Sequence, residues 1–166
     1  MATPTYTLID SVTLGSSASS VTFSGISAAG KGDLVLAIQQ NSATAQDIRL
    51  RFNGDSGSNY SYVYMLGNGS TATSEAGSFS AVRVGVNSLS TGTNKQQAII
   101  QIMDYASDKH KSVLARSNVT GGDEPGAEAT ANRWANTSAI TTILIGVSAT
   151  EFVAGSTFFL YQIVSE

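Results

Sequence analysis

The chain has 166 residues and 17.2 kDa, enough for one domain with a proper core, and carries a net charge of −3. Charged residues make up only 13% of it, about half the usual share, and the polarity comes instead from 24 Ser, 17 Thr, 16 Gly and many amides. The nine Lys and Arg are scattered, which argues against a nucleic-acid partner. Absent cysteine excludes disulfides, thiolate zinc sites and cysteine nucleophiles, and a lone His leaves no His-rich metal cluster.

In chain order the pattern is one of short strands. Tyr6–Leu14 alternates loosely, and Gly15–Ser20 reads as a turn into Val21–Ile26. Asp33–Gln40 sets Leu34, Leu36 and Ile38 on one side. Asp47–Asn53 alternates strictly, with Ile48, Leu50 and Phe52 opposite Asp47, Arg49 and Arg51. A turn-rich run, Asn53–Asn59, leads to Tyr60–Leu66 with Tyr60, Tyr62 and Tyr64 on one face. Gly67–Gly77 reads as a long polar loop. Phe79–Asn87 reads as one strand with a bulge or change of register near Ser80–Gly85, which turns Val82, Val84 and Val86 inwards. Lys95–Tyr105 and Lys111–Val119 form an expected hairpin joined by Ala106–His110. Gly121–Ala129 is the strongest loop signal, and Glu128–Ala135 offers one helical turn at most. Ala139–Val147 and Thr157–Val164 close the series.

About ten such strands at this spacing, with no repeat or heptad, predict an all-β fold. The architecture expected is a single antiparallel two-sheet β-sandwich over residues 1–166, jelly-roll-like in form. The expected core is Leu8, Val21, Phe23, Leu34, Leu36, Ile38, Ile48, Leu50, Phe52, Ile100, Ile102, Ile143, Ile145 and Leu160. No apolar run reaches the roughly 20 residues of a membrane span. The start, MATPTYTLID, lacks the pattern of a secretory signal, so synthesis in a cytoplasm is expected.

Catalytic chemistry is weakly signalled, and the chain is expected to be no enzyme. Asn53, Asp55 and Asn59 superficially resemble a calcium loop, but Ser58 stands where an EF-hand needs Gly, so a plain turn is expected and no cofactor or metal. Asp123, Glu124 and Glu128 read as solvated turn charges. His110 sits in a charged turn without a partner for base catalysis. Trp134, the single Trp, either caps one end of the sandwich or stands exposed as a stacking or interface residue. Candidate contact residues are therefore Arg49, Arg51, Tyr60, Arg133 and Trp134.

Arg49–Tyr60 (RLRFNGDSGSNY) resembles small virion structural proteins of tailed bacteriophages of the cyanophage and marine-phage type. Thr7–Phe23, Asp33–Ala37, Lys111–Asn118, Trp134–Ile140 and Ala154–Tyr161 resemble further blocks of that family, and the ending Gln162–Glu166 departs from it. The resemblance implies a capsid cement or decoration protein. Such a protein acts as a homotrimer on the major capsid protein at capsomer junctions, on the virion surface, after synthesis in the infected bacterial cytoplasm. The alternative it implies is a receptor- or carbohydrate-binding domain of a tail fibre, with a host surface glycan as partner.

Overall fold

The computed structural model describes residues 5–29, 31–41, 47–85, 95–119, 126–148 and 150–163. Among them are twelve strands and no helix. They are β1 (Tyr6–Thr13), β2 (Ser20–Ser24), β3 (Asp33–Gln40), β4 (Ile48–Phe52), β5 (Tyr60–Gly67) and β6 (Ala72–Phe79). Then follow β7 (Val82–Val84), β8 (Gln96–Ile102), β9 (Lys111–Val119), β10 (Ala127–Trp134), β11 (Thr142–Val147) and β12 (Thr157–Ile163).

Every pairing is antiparallel. An eight-stranded sheet runs β1-β12-β3-β8-β9-β10-β5-β6, and a four-stranded sheet runs β2-β11-β4-β7. Their inner faces share one hydrophobic cluster. Leu34, Leu36, Ile100, Val113, Phe158 and Leu160 of the large sheet meet Phe23, Ile48, Leu50, Val82, Ile143 and Ile145 of the small one. This is an antiparallel β-sandwich. Burying each of these large side chains contributes roughly 1.5–3 kcal/mol, which lets a chain without disulfides hold two sheets together.

Each expected core residue is buried except Leu8. Leu8 lies on the edge strand β1 and pairs with Tyr161 on the outer side of the large sheet, so nothing covers it. A register shift between Leu8 and Asp10 also leaves Ile9 without a partner.

Three segments differ from their sequence reading. The expected loop Gly67–Gly77 is largely strand β6, paired residue for residue with β5. The single strand expected over Phe79–Asn87 is two strands in different sheets. β6 ends at Phe79, Ser80 and Ala81 turn the corner, and β7 joins the small sheet beside β4. Val82 and Val84 point inwards as expected. Val86 lies outside the described residues, as do 121–125 of the expected acidic loop and Val164. The expected loop and helical turn over Gly121–Ala135 is instead strand β10 from Ala127 onwards, central in the large sheet between β9 and β5.

Polar side chains hold the sandwich where its strands cross over. Asn132 of β10 reaches across to β7 and bonds both backbone groups of Arg83: its Oδ1 accepts from the N–H at 3.1 Å and its Nδ2 donates to the carbonyl at 3.2 Å. Glu128 Oε1 accepts from the Gly85 N–H at 2.8 Å and from the Thr130 hydroxyl at 2.6 Å. Glu128 is therefore a buried bridge, not the solvated turn charge expected. Lys111 is also buried, and its ammonium donates to the carbonyls of Ser107 at 2.8 Å and Lys109 at 2.5 Å, tying down the β8–β9 connection. Desolvation holds its pKa below the usual lysine value.

Candidate interaction face

The five candidate contact residues part company in the structure. Trp134 and Tyr60 are register partners on β10 and β5, and both rings are buried. They stack at 6.3 Å between centroids, and Phe52 meets the indole edge-on at 5.4 Å. Trp134 thus closes one end of the core and offers no exposed platform; as surface contacts, Trp134 and Tyr60 are corrected.

The turn between β4 and β5 is laced to that aromatic group. Asp55 Oδ2 accepts from the indole N–H of Trp134 at 2.8 Å, and its carboxylate also accepts from the Asn59 amide and the Gly57 N–H. These donors, Trp134 first, hold the Asp55 pKa below its ordinary value. The Tyr60 hydroxyl donates to the Asp55 carbonyl and accepts from the Phe52 N–H, both at 3.1 Å, and burial pushes its pKa up to about 12. Asn53, at φ +53°, accepts from the N–H groups of Thr141 and Thr142 and donates to the Ala139 carbonyl. The polar residues of this turn thus serve as a clasp between β4, β5, β10 and the strand-to-strand link before β11.

Arg49 and Arg51 are half-buried and engaged within their own chain. Arg51 Nε donates to the Ser80 carbonyl at 3.2 Å, at the corner where β6 crosses into β7. Arg49 lies 4.9 Å over the Phe79 ring and 3.7 Å from Asp47. Arg83 covers the same ring at 5.1 Å and the Tyr62 ring at 5.0 Å, with Asp47 at 3.0 Å. Glu75 then accepts from the hydroxyls of Tyr62 and Tyr64. The arginines of β4 are therefore held by Phe79 at the end of β6 and by the corner that follows it. The alternation over Phe79–Asn87 reads as one continuous strand and so hides the corner at Ser80 and Ala81 that makes these contacts.

Of the five residues only Arg133 points outwards from the large sheet, beside Ser61 and Ser112. Its neighbourhood is the most informative surface of the molecule. Pairing registers align outward residues of all eight strands into rows. One row runs Leu8, Tyr161, Val35, Gln101, Leu114, Ala131, Val63, Ala76. The next runs Ser11, Phe159, Ala37, Ile99, Arg116, Ala129, Met65, Ser74. Among the described residues, the large apolar side chains that stand well exposed are Tyr6, Leu8, Ile9, Val63, Met65, Ile99 and Leu114. All but the bulged Ile9 lie on this face.

The face is not flat. Ala129 and Ala131 form the floor of a depression of about 560 Å³ between Val63 and Met65 on one side and Ile99 and Leu114 on the other. A second depression of about 480 Å³ opens between Ile99 and Phe159 over Ala37. Tyr6, Tyr161 and Phe159 form an aromatic ridge beyond it, with centroids 6.5 Å apart in each neighbouring pair. The charged residues that the strands present on this side are Asp33, Arg116 and Arg133. Asp33 is itself occupied by the Gln101 amide and the Asp104 N–H.

Sequence reasoning missed this face because a half-buried sheet is expected to be polar outside. The outward residues of β5 and β8 were present as Val63, Met65 and Ile99. Only cross-strand pairing puts them in rows. Among the described residues no group of three or more His, Asp or Glu is placed to hold a metal ion, and no helix is long and apolar enough to cross a membrane.

Comparison with family models, curated proteins and solved structures gives no match.

Proposed function

We propose that this chain is a non-enzymatic structural component of a tailed-bacteriophage virion. In this reading it is a cement or decoration protein, seated as a homotrimer on the major capsid protein where capsomers meet. The observation that carries the reading is the broad apolar outer face of the large sheet. A protein whose exposed apolar residues gather on one sheet face is built to be covered by another protein.

The strand order supports a jelly-roll reading of the sandwich. The small sheet, β2-β11-β4-β7, faces β1-β12-β3-β8 of the large sheet in the order that two nested Greek keys produce. Strands β9-β10-β5-β6 extend the large sheet beyond β8. A shell protein of this kind needs a rigid scaffold, and inter-sheet bridges such as Asn132 to Arg83 supply rigidity without cysteine.

One observation favours the alternative, a receptor- or carbohydrate-binding domain of a tail fibre. Tyr6, Tyr161 and Phe159 make an aromatic ridge on the outer face on which a sugar ring would stack. Immunogold or tag labelling of intact virions in electron micrographs separates the two. Label repeating over the icosahedral shell is the expected result. Label confined to the tail removes the cement reading, and binding to a host glycan with loss in Tyr161→Ala would favour the alternative.

A further inference from the structure

We infer that the outer face of the eight-stranded sheet is covered by a second copy of this chain. The inference deepens the homotrimer reading above by assigning its contact surface, and rests on that reading for its biological setting.

The size of the face fits. Eight strands at about 4.8 Å spacing span roughly 38 Å, and outward residues recur about every 6.8 Å along each strand. The two rows with half of each flanking row cover about 20 Å, giving a face of about 800 Å² in which Ser11, Gln101, Arg116 and Ser74 stand among the apolar residues. That equals the share each partner contributes to a standard protein–protein interface.

The relief and the charge fit a like partner. Ridges and hollows alternate across the sheet: Val63 and Met65, the Ala129–Ala131 floor, Ile99 and Leu114, the Ala37 floor, then Phe159 and Tyr161. The same face therefore carries both the knobs and the holes that interlocking requires. A copy rotated about an axis lying in the interface meets this series in reverse, and a ring of copies joins the aromatic end of one face to the alanine end of the next. Three charged side chains, two basic and one acidic, impose little repulsion between identical faces. Asp33 already has partners at home.

The test uses the full chain in light scattering coupled to size-exclusion, from micromolar to hundreds of micromolar. A concentration-dependent multimer is expected. Ala131→Arg, which fills the hollow and buries a charge, is expected to weaken association at least about thirty-fold, the factor for losing one central contact. Thr22→Glu, exposed on the outer side of the small sheet, is expected to leave association within a few-fold. Since the chain has no cysteine, Ala131→Cys supplies a single thiol with minimal disturbance to folding. Its reaction with a thiol reagent is expected to slow at least ten-fold as concentration rises. A wild-type monomer at every concentration overturns the inference, as does Ala131→Arg associating like wild type or a thiol whose rate ignores concentration. Monomers that bind empty phage shells through this face overturn it too, and give the face to the shell protein. A dimer in place of a trimer leaves this contact standing and removes the trimer from the functional reading. Failure to find the protein on virions removes that reading without touching the contact.

Discussion

Asn132→Ala isolates what the side-chain bridge between the sheets contributes. Asn132 is 5% exposed and its amide makes two hydrogen bonds to the backbone of Arg83 on β7. β7 has three residues and stands at the edge of the small sheet, so the amide serves it as a surrogate neighbouring strand. Each hydrogen bond contributes about 0.5–1.5 kcal/mol net, and a donor or acceptor left buried without a partner costs about 1–3 kcal/mol. Arg83 is only partly buried, so water entering the gap offsets some of this. The expected loss is about 2–3 kcal/mol, or roughly 4–12 °C in melting temperature for a domain of this size. Urea unfolding followed by the fluorescence of Trp134 reads it directly. Asn132→Asp, which keeps the acceptor for the Arg83 N–H and loses the donor, is expected to differ from wild type and from Asn132→Ala. A loss below about 0.5 kcal/mol in Asn132→Ala, within the range of an ordinary surface substitution, would refute the bridging argument.

Three further outcomes are expected. Gly77→Ala places a Cβ 2.9 Å from the Tyr62 hydroxyl and about as close to its ring, so the ring must move. A loss of about 1–3 kcal/mol is expected in urea unfolding, with Gly67→Ala, which meets nothing, as the control. Asp55 has a depressed folded-state pKa, so its contribution to stability is complete above the ordinary value of 3.8 and is lost as pH falls through the depressed one. The acid limb of the stability curve should flatten in Asp55→Asn. For Tyr60 the sign reverses: its raised folded pKa means a contribution fully present below pH 10 and lost as pH rises towards about 12. Tyrosinate absorbance of the native protein should therefore lag that of the urea-unfolded chain, and Tyr60→Phe should remove the latest-ionising component.

The part of the fold most legible in the sequence was β4, whose Ile48, Leu50 and Phe52 alternate strictly with charged residues, and after it the dense apolar runs of β3 and β8. The all-β class and the core followed from them. β10 was illegible for a physical reason. Its inward residues are Glu128, Thr130, Asn132 and Trp134, and its outward ones are Ala127, Ala129, Ala131 and Arg133. Its polarity is inverted, because the inward polar groups bond β7 and the outward alanines floor a hollow. Alternation of hydrophobicity read alone assigns such a strand to a loop. β6 failed differently, having Glu75 and Gly77 where core residues were sought, with Gly77 leaving room for the Tyr62 ring. Arg49 and Arg51 read as candidate contacts because the β6–β7 corner that engages them joins two sheets, which local alternation does not show. The interaction face required cross-strand register, which joins residues far apart in the chain and is absent from any local pattern.

The pairing of β1 with β12, and of β12 with β3, has a bearing on how the chain reaches its native state. Four strands of the early chain region or its neighbours wait for partners made late: β1 and β3 for β12, β2 and β4 for β11. During translation the segment YTLIDSVT, with Tyr6, Leu8 and Ile9 exposed even in the finished sheet, leaves the ribosome long before its only neighbour. Long-range pairing of this kind makes folding slow and leaves an apolar strand edge open to other nascent chains. Yield on expression should therefore depend on dilution and temperature, with losses arising during assembly of the sheet rather than from weakness of the completed one.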